Sequence, residues 1–156
     1  MGEHSIKDLI DRYIEISFIV NRCGQSLVKS QVGSDLTYDQ HYTLRHIYKS
    51  GSCTSSELAE VFDVKKSAIT AIITRLWEKG LILRTRDESD RRVVYLTLTD
   101  KAKALFEDTE ERIQKLVESL INNFEEDEIN QFMDSFEKLK NFMLQSKENI
   151  QTEETK

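Results

Sequence analysis

The stretch TSSELAEVFDVKKSAITAIITRLWEKGLILRTRDESDRRVVYLTL, Thr54 to Leu98, decides the fold. It opens on Thr54-Ser55-Ser56-Glu57, a capping-box pattern in which a hydroxyl and a carboxylate each satisfy a backbone N–H orphaned at a helix start. Leu58, Ala59 and Phe62 give the short helix that follows an apolar side, and Asp63-Val64 makes the turn out of it. A second helix is expected from about Lys65 to Lys79. Its Ile69, Ile72, Ile73 and Leu76 recur at i, i+3, i+4 and i+7 and so form one buried stripe. At about 100° per residue, Ser67, Thr70, Ala71 and Thr74 fall on the opposite face, with Arg75 at its edge. That face is small and hydrogen-bonding, the kind that can approach base edges in a major groove. Gly80 ends the helix as a residue free to take positive φ.

Beyond it, Leu81 to Arg86 and Val93 to Leu98 are β-branched or apolar-rich runs around the polar segment Asp87 to Arg92. Two such runs read as a hairpin, a wing with Arg91 and Arg92 at its tip. Arginines there are placed to grip phosphate or enter a minor groove. The stretch is a helix-turn-helix followed by a two-stranded wing.

Thr54-Ser55-Ser56-Glu57-Leu58-Ala59, Leu76-Trp77-Glu78-Lys79-Gly80-Leu81-Ile82, Arg84, Asp90-Arg91-Arg92 and Leu98-Thr99, in that order and spacing, resemble the MarR family of winged-helix transcriptional regulators. The flanking helices carry the resemblance over nearly the whole chain. It implies a mainly α fold with a small β-hairpin wing, and a dimerisation lobe made by the N- and C-terminal helices. It also implies that Ser67, Thr70, Thr74 and Arg75 meet bases or adjacent phosphates, while Lys65, Lys66 and Arg84 hold the DNA backbone. Asp90 would orient Arg92 toward the minor groove, and Arg86 and Arg91 complete the cationic set of the wing. Two departures stand out. The family's recognition helix usually starts on a hydroxyl or acidic cap, where this chain has Lys65-Lys66. Cations at that end oppose the helix dipole by roughly 0.3–1 kcal/mol each, which water or a nearby DNA phosphate offsets. Ala102 stands where a glycine is common, and alanine is the better helix former.

The 156-residue chain suits one compact domain, or one with a dimerisation extension. Its 38% hydrophobic and 32% charged content fits a helical protein that completes its core by dimerising. The net charge of −6 is unevenly spread: zero over residues 1–54, +1 over 55–99 and −7 over 100–156. Residues 65–86 alone carry +5, and local charge dominates within a Debye length of about 8 Å. Met1-Gly2-Glu3-His4-Ser5 has neither the basic-then-apolar order of a secretory leader nor a myristoylation pattern. No uncharged apolar stretch is long enough for a membrane span, so a cytoplasmic location is expected.

Outside the winged stretch, residues 5–31 read as a long helix too apolar to pack on one partner, which suggests a place between layers. Gly33-Ser34-Asp35 breaks it, and Thr37 or Asp39 caps the next helix, Tyr38 to Lys49. Thr99 caps a helix from Asp100 to about Phe124, with a stripe of Ile113, Leu116, Val117, Leu120, Ile121 and Phe124. A last helix carries Ile129, Phe132, Met133, Phe136, Leu139 and Met143. The domain reading is a helical dimerisation region of residues 1–36 and 100–147, a winged helix-turn-helix of 37–99, and a frayed tail of 148–156.

No nucleophile motif, phosphate loop or paired catalytic carboxylate stands out, so no enzyme and no cofactor are expected. His41 and His46 point about 140° apart on a helix, a poor metal pair. Cys23 and Cys53 are the only cysteines; on an apolar face Cys23 reads as an inert core residue. The resemblance keeps a second role open for Cys23, since some MarR proteins sense hydroperoxides through a first-helix thiolate. Tyr13, Tyr42, Arg45 and His46 are the candidate wall of an effector pocket, against ordinary inter-helix packing. The expected function is a homodimeric repressor of a pseudo-palindromic operator in double-stranded DNA, relieved by a small molecule. The alternatives are an oxidant-sensing repressor using Cys23, and a winged-helix protein-interaction module.

Overall fold

The computed structural model describes residues 3–33 and 36–154. Along the chain run α1 (Glu3–Val32), α2 (Tyr38–Ser50), β1 (Cys53–Thr54), α3 (Ser55–Phe62), α4 (Lys66–Glu78), β2 (Ile82–Arg86), β3 (Val94–Leu98), α5 (Asp100–Ile121) and α6 (Glu126–Glu154). Met1, Gly2 and the helix-breaking Ser34-Asp35 lie outside the described residues. The chain divides into two compact units, 1–113 and 114–156, with the boundary inside α5. The sequence divides it instead at 36/37 and 99/100. Ala102, Phe106 and Thr109 are buried with the winged core, so the first turns of α5 belong to that unit.

Both early helices start on capping boxes. Thr37 pairs reciprocally with Gln40, and Thr54 with Glu57, so each hydroxyl accepts an orphan amide while the fourth residue reaches back. Asp63 closes α3 in the left-handed region, at φ 53°. There its N–H donates to the Glu60 carbonyl and that of Val64 to the Ala59 carbonyl, the double bond of a Schellman motif. The turn of the helix-turn-helix thus runs over Asp63, Val64 and Lys65 and is opened by one left-handed residue.

The β2–β3 hairpin read from the sequence forms the wing, and β1 adds a third strand to it in the antiparallel order β1-β3-β2. Cys53 pairs with Leu96 and Thr54 with Tyr95, while Ile82 pairs with Leu98 and Arg84 with Leu96. Leu44, Ile47, Leu58, Ile69, Leu76, Ile82, Leu96 and Leu98 meet in one core, which Val32 of α1 and Phe106 of α5 close. Thr99 pins this core to α5. Its Oγ1 donates to the Gly80 carbonyl at 2.9 Å and accepts from the Ala102 N–H at 3.1 Å, so one hydroxyl joins the end of α4 to the start of α5.

Within one chain, helix α1 is not covered on both sides. It adds only Val28 and Val32 to the core, and Ile14, Phe18 and Val20 stand more than half exposed. In the 114–156 unit, Asn123 Nδ2 donates to the Ser119 and Leu120 carbonyls and ends α5 three residues before the expected Phe124. Helix α6 continues to Glu154, through most of the segment expected to fray from Glu148. Its Phe132 and Phe136 stack with ring centroids 5.5 Å apart, one turn separated on an exposed face. Among the described residues no helix is long and apolar enough to cross a membrane.

Candidate nucleic-acid interface

Helix α4 turns its polar face outward because its apolar stripe is taken up by the core. Ile69, Ile73 and Leu76 are buried and Ile72 half-buried, which leaves Ser67, Thr70, Ala71 and Arg75 exposed and Thr74 half-exposed. The Thr70 hydroxyl donates to the Lys66 carbonyl at 2.8 Å. Its proton is engaged within the helix, so what it offers outward is a methyl group and an oxygen lone pair. Lys65 takes the N-cap position in extended conformation without a side-chain cap, and no acid lies in the first turn. The first amides of α4 therefore stay open beside two lysines, an end that attracts anions. At the other end the Gly80 N–H donates to Trp77 and the Leu81 N–H to Leu76, both at 2.9 Å, with Gly80 at φ +68°.

The tip of the wing is built by its own carboxylates. Asp87 Oδ1 accepts from the Ser89 and Asp90 amides at 2.8 Å and from the Ser89 hydroxyl at 2.5 Å. The Ser89 hydroxyl above all, then these amides, hold Asp87 below the usual carboxylate range. Asp90 grips Arg92 with two oxygens: Nε donates to Oδ1 and Nη2 to Oδ2, each at 3.0 Å. The Arg92 backbone N–H donates to the same Oδ1 at 3.1 Å. The guanidinium lowers the Asp90 carboxyl and is itself raised by it. Yet the Arg92 side chain remains 91% exposed, so it is aimed and uncovered at once. Arg86 and Arg91 are exposed on the same hairpin.

Arg84 leaves β2 toward α4. Its guanidinium carbon lies 5.3 Å from the Trp77 ring centroid, and Nη2 is 3.5 Å from Thr74 Oγ1. The sequence reading gives Trp77 no role. The available signal was a large aromatic on the solvent side of an amphipathic helix, seven positions before an arginine.

The four candidate effector residues are not gathered into one wall. Tyr13 lies on α1 beside Leu9, Arg12 and Ile16, while Tyr42, Arg45 and His46 lie on α2. Tyr42 is half-exposed and meets Phe62 edge-on at 5.8 Å. Arg45 is ion-paired to Glu110 of α5, whose other oxygen is buried without a partner among the described residues. Tyr48 donates to Glu107 at 2.8 Å, and that carboxylate pushes the phenol's pKa up. Deeper in, His41 stacks on Phe106 at 5.6 Å, and burial, helped by the Arg45 charge, lowers its pKa to about 4. Cys23 is exposed, contrary to its reading as a core residue, because no described residue of the same chain covers that part of α1. Cys53 is buried, and burial raises its pKa to about 11. Among the described residues no three potential metal ligands gather.

Residues 36–94 match the family model described as MarR family. The transcriptional repressor MdtR of Bacillus subtilis is 35% identical over 98 residues, 63% of either chain, so this chain spans just under two thirds of that protein's length. The multiple antibiotic resistance protein MarR of Salmonella typhimurium is 31% identical over 130 residues, which are 80% of this chain and 90% of the relative. The chain belongs to the MarR family. Likeness to solved MarR structures reaches beyond the winged segment: a MarR variant of Escherichia coli complexed with operator DNA superposes with a TM-score of 0.73. It is 26% identical, with 89% of this chain and 99% of that one covered. The fold and the relatives are those of MarR transcriptional regulators, not of enzymes.

Proposed function

We propose that this chain is a cytoplasmic, homodimeric repressor that binds a pseudo-palindromic operator, with α4 in the major groove and the wing along the neighbouring minor groove. The observation that carries this reading is the Asp90–Arg92 pair: a bidentate carboxylate fixes the direction of an arginine that stays 91% exposed. An acidic residue on a surface meant only to grip phosphate would weaken it. One that aims a guanidinium reduces the rotamer entropy lost on insertion into a narrow, A·T-rich groove. The open N-terminus of α4, Lys65 and Lys66 hold backbone; Ser67, Thr70, Thr74 and Arg75 face the bases. The Thr70 lone pair suits an exocyclic amine and its methyl a thymine methyl.

The dimer reading is supported by the apolar faces that one chain leaves open on α1, on the end of α5 and on α6. A small effector would release DNA by changing the spacing of the two recognition helices. A two-fold dimer reads half-sites one helical turn, about 34 Å, apart, and a shift of a few ångströms breaks simultaneous engagement.

Binding of Arg92→Ala and Lys66→Ala over a salt series tests the reading, on the operator selected by the wild type and on a G·C-flanked copy. Arg92→Ala is expected to lose about ten-fold or more on the A·T-flanked site and much less on the other, the scale of a specific contact. Lys66→Ala is expected to weaken both alike and to reduce the salt slope by about one. Equal loss by Arg92→Ala on both duplexes removes the minor-groove role.

A further inference from the structure

We propose that Trp77 is a positioning residue for Arg84, whose guanidinium it holds between recognition helix and wing, ready to take a DNA phosphate there. The proposal rests on the DNA-binding reading above and adds to it a residue at the edge of the reading face. Three observations converge on it.

The first is strand geometry. Side chains alternate along β2, so Arg84 leaves on the same side as Ile82, which is buried in the core. Its strand partner Leu96 is buried too. Arg84 thus continues the core-facing row one step past the point where the core ends. The second is helix geometry. Thr74 and Trp77 are three residues apart on α4 and so share a face, and Arg84 meets both: the indole at 5.3 Å and the Thr74 hydroxyl at 3.5 Å. The third is exposure. Trp77 is 53% exposed while Ile69, Ile73 and Leu76 of the same helix fill the core, so the indole is not placed there as core packing.

The chemistry follows from the shape of the two groups. A guanidinium over an aromatic ring is held by the ring's π-face; with Nη2 turned to the Thr74 hydroxyl, its other N–H groups stay available to an oxyanion. The wing tip aims an arginine in a different way. Asp90 fixes Arg92 with a carboxylate and offsets its charge, whereas Trp77 fixes Arg84 with a neutral ring and leaves the full charge. An arginine aimed without being neutralised suits a phosphate, where counterion release rewards charge. Its place beside Thr74 puts that phosphate between the bases read by α4 and the groove reached by the wing.

Trp77 is the only tryptophan of the chain, so its fluorescence reports on the stack alone. In the free, full-length protein, acrylamide quenching of Trp77 is expected to rise in Arg84→Ala; unchanged quenching overturns the stack. In the second arm, wild type, Trp77→Leu, Trp77→Phe, Arg84→Ala and the Trp77→Leu/Arg84→Ala double variant bind the duplex that the wild type selects from a random library. Thermal melts verify that all are folded. Trp77→Leu is expected to lose about two- to five-fold, the range of an exposed cation–π contact. Trp77→Phe should keep most of the affinity, and Trp77→Leu should cost nothing further once Arg84 is alanine. Losses that multiply in the double variant overturn the positioning role while leaving DNA binding intact. A wild type that selects no duplex overturns the DNA-binding reading itself, whatever the quenching shows.

Discussion

In the winged segment Leu44, Ile47, Leu58, Ile69, Leu76 and Ile82 are sealed from solvent, whereas Ile14 and Phe18 of α1, and Phe132, Phe136 and Met143 of α6, are more than half exposed. Both sets are large apolar side chains, and Ile69 and Leu76 of α4 recur at helical spacing just as Phe132 and Phe136 of α6 do. What differs is whether the chain supplies a cover. Apolar periodicity finds the face of a helix to be buried but does not say what buries it. The winged segment, closed by Val32 of α1 and Phe106 of α5, is covered within one chain; the long helices leave apolar faces open.

Breaking that contrast at the proposed dimer interface should give the largest effect. Leu120→Glu combined with Phe136→Glu places charge on faces that are exposed within one chain, so the protomer loses little packing. The dimer dissociation constant is expected to rise by at least about a thousand-fold, the scale of two central hot spots. Sedimentation velocity should show monomer, with hydrogen exchange still protecting α3 and α4. A variant that sediments as a wild-type-like dimer removes these faces from the interface.

The converse change strikes the self-sufficient core. Leu58→Ala should cost about 2–5 kcal/mol of unfolding free energy, measured by urea denaturation. The loss should be of similar size in the charged, monomeric background, because Leu58 is sealed within its own chain. A loss that vanishes there would mean that the winged segment depends on the partner after all.

The smallest effect sharpens the picture inside that core. His41 is buried against Phe106 with its pKa lowered to about 4. Between there and the ordinary value near 6.5, the unfolded chain binds the proton more readily than the folded one. Stability is therefore full above about pH 6.5 and falls as pH drops toward 4. The expected contribution is about 1–2 kcal/mol once solvent screening is allowed for. Urea midpoints at pH 7 and pH 5 should converge in His41→Gln; an unchanged pH dependence in that variant assigns the effect to other groups.

Much of this was legible in the sequence because the signals are local. Thr54 and Glu57 announce their cap within four residues, Gly80 its left-handed turn, and Asp90 sits two residues from the arginine it holds. β1 was not legible, since two residues carry no alternation and its partner lies far along the chain. The Trp77–Arg84 contact was hidden by the Schellman turn between them, which reverses the chain and brings together positions that no helical or strand period relates. The effector candidates were the least legible. Their common feature was residue type, and residue type does not tell that Arg45 is already paired with Glu110.

Strand β1 has a consequence in time as well as in space. The α3–α4 pair and the β2–β3 hairpin join neighbours in sequence, and hairpins form in about 1–10 μs. The pairing of Cys53 with Leu96 must instead close a loop of about forty residues, and only two residues hold it once closed. A pairing so short and non-local is expected late in folding and early in unfolding. Thr54 is also the N-cap of α3, so the strand ends on the residue that starts the helix-turn-helix, and its local capping box with Glu57 can hold that start while the strand opens.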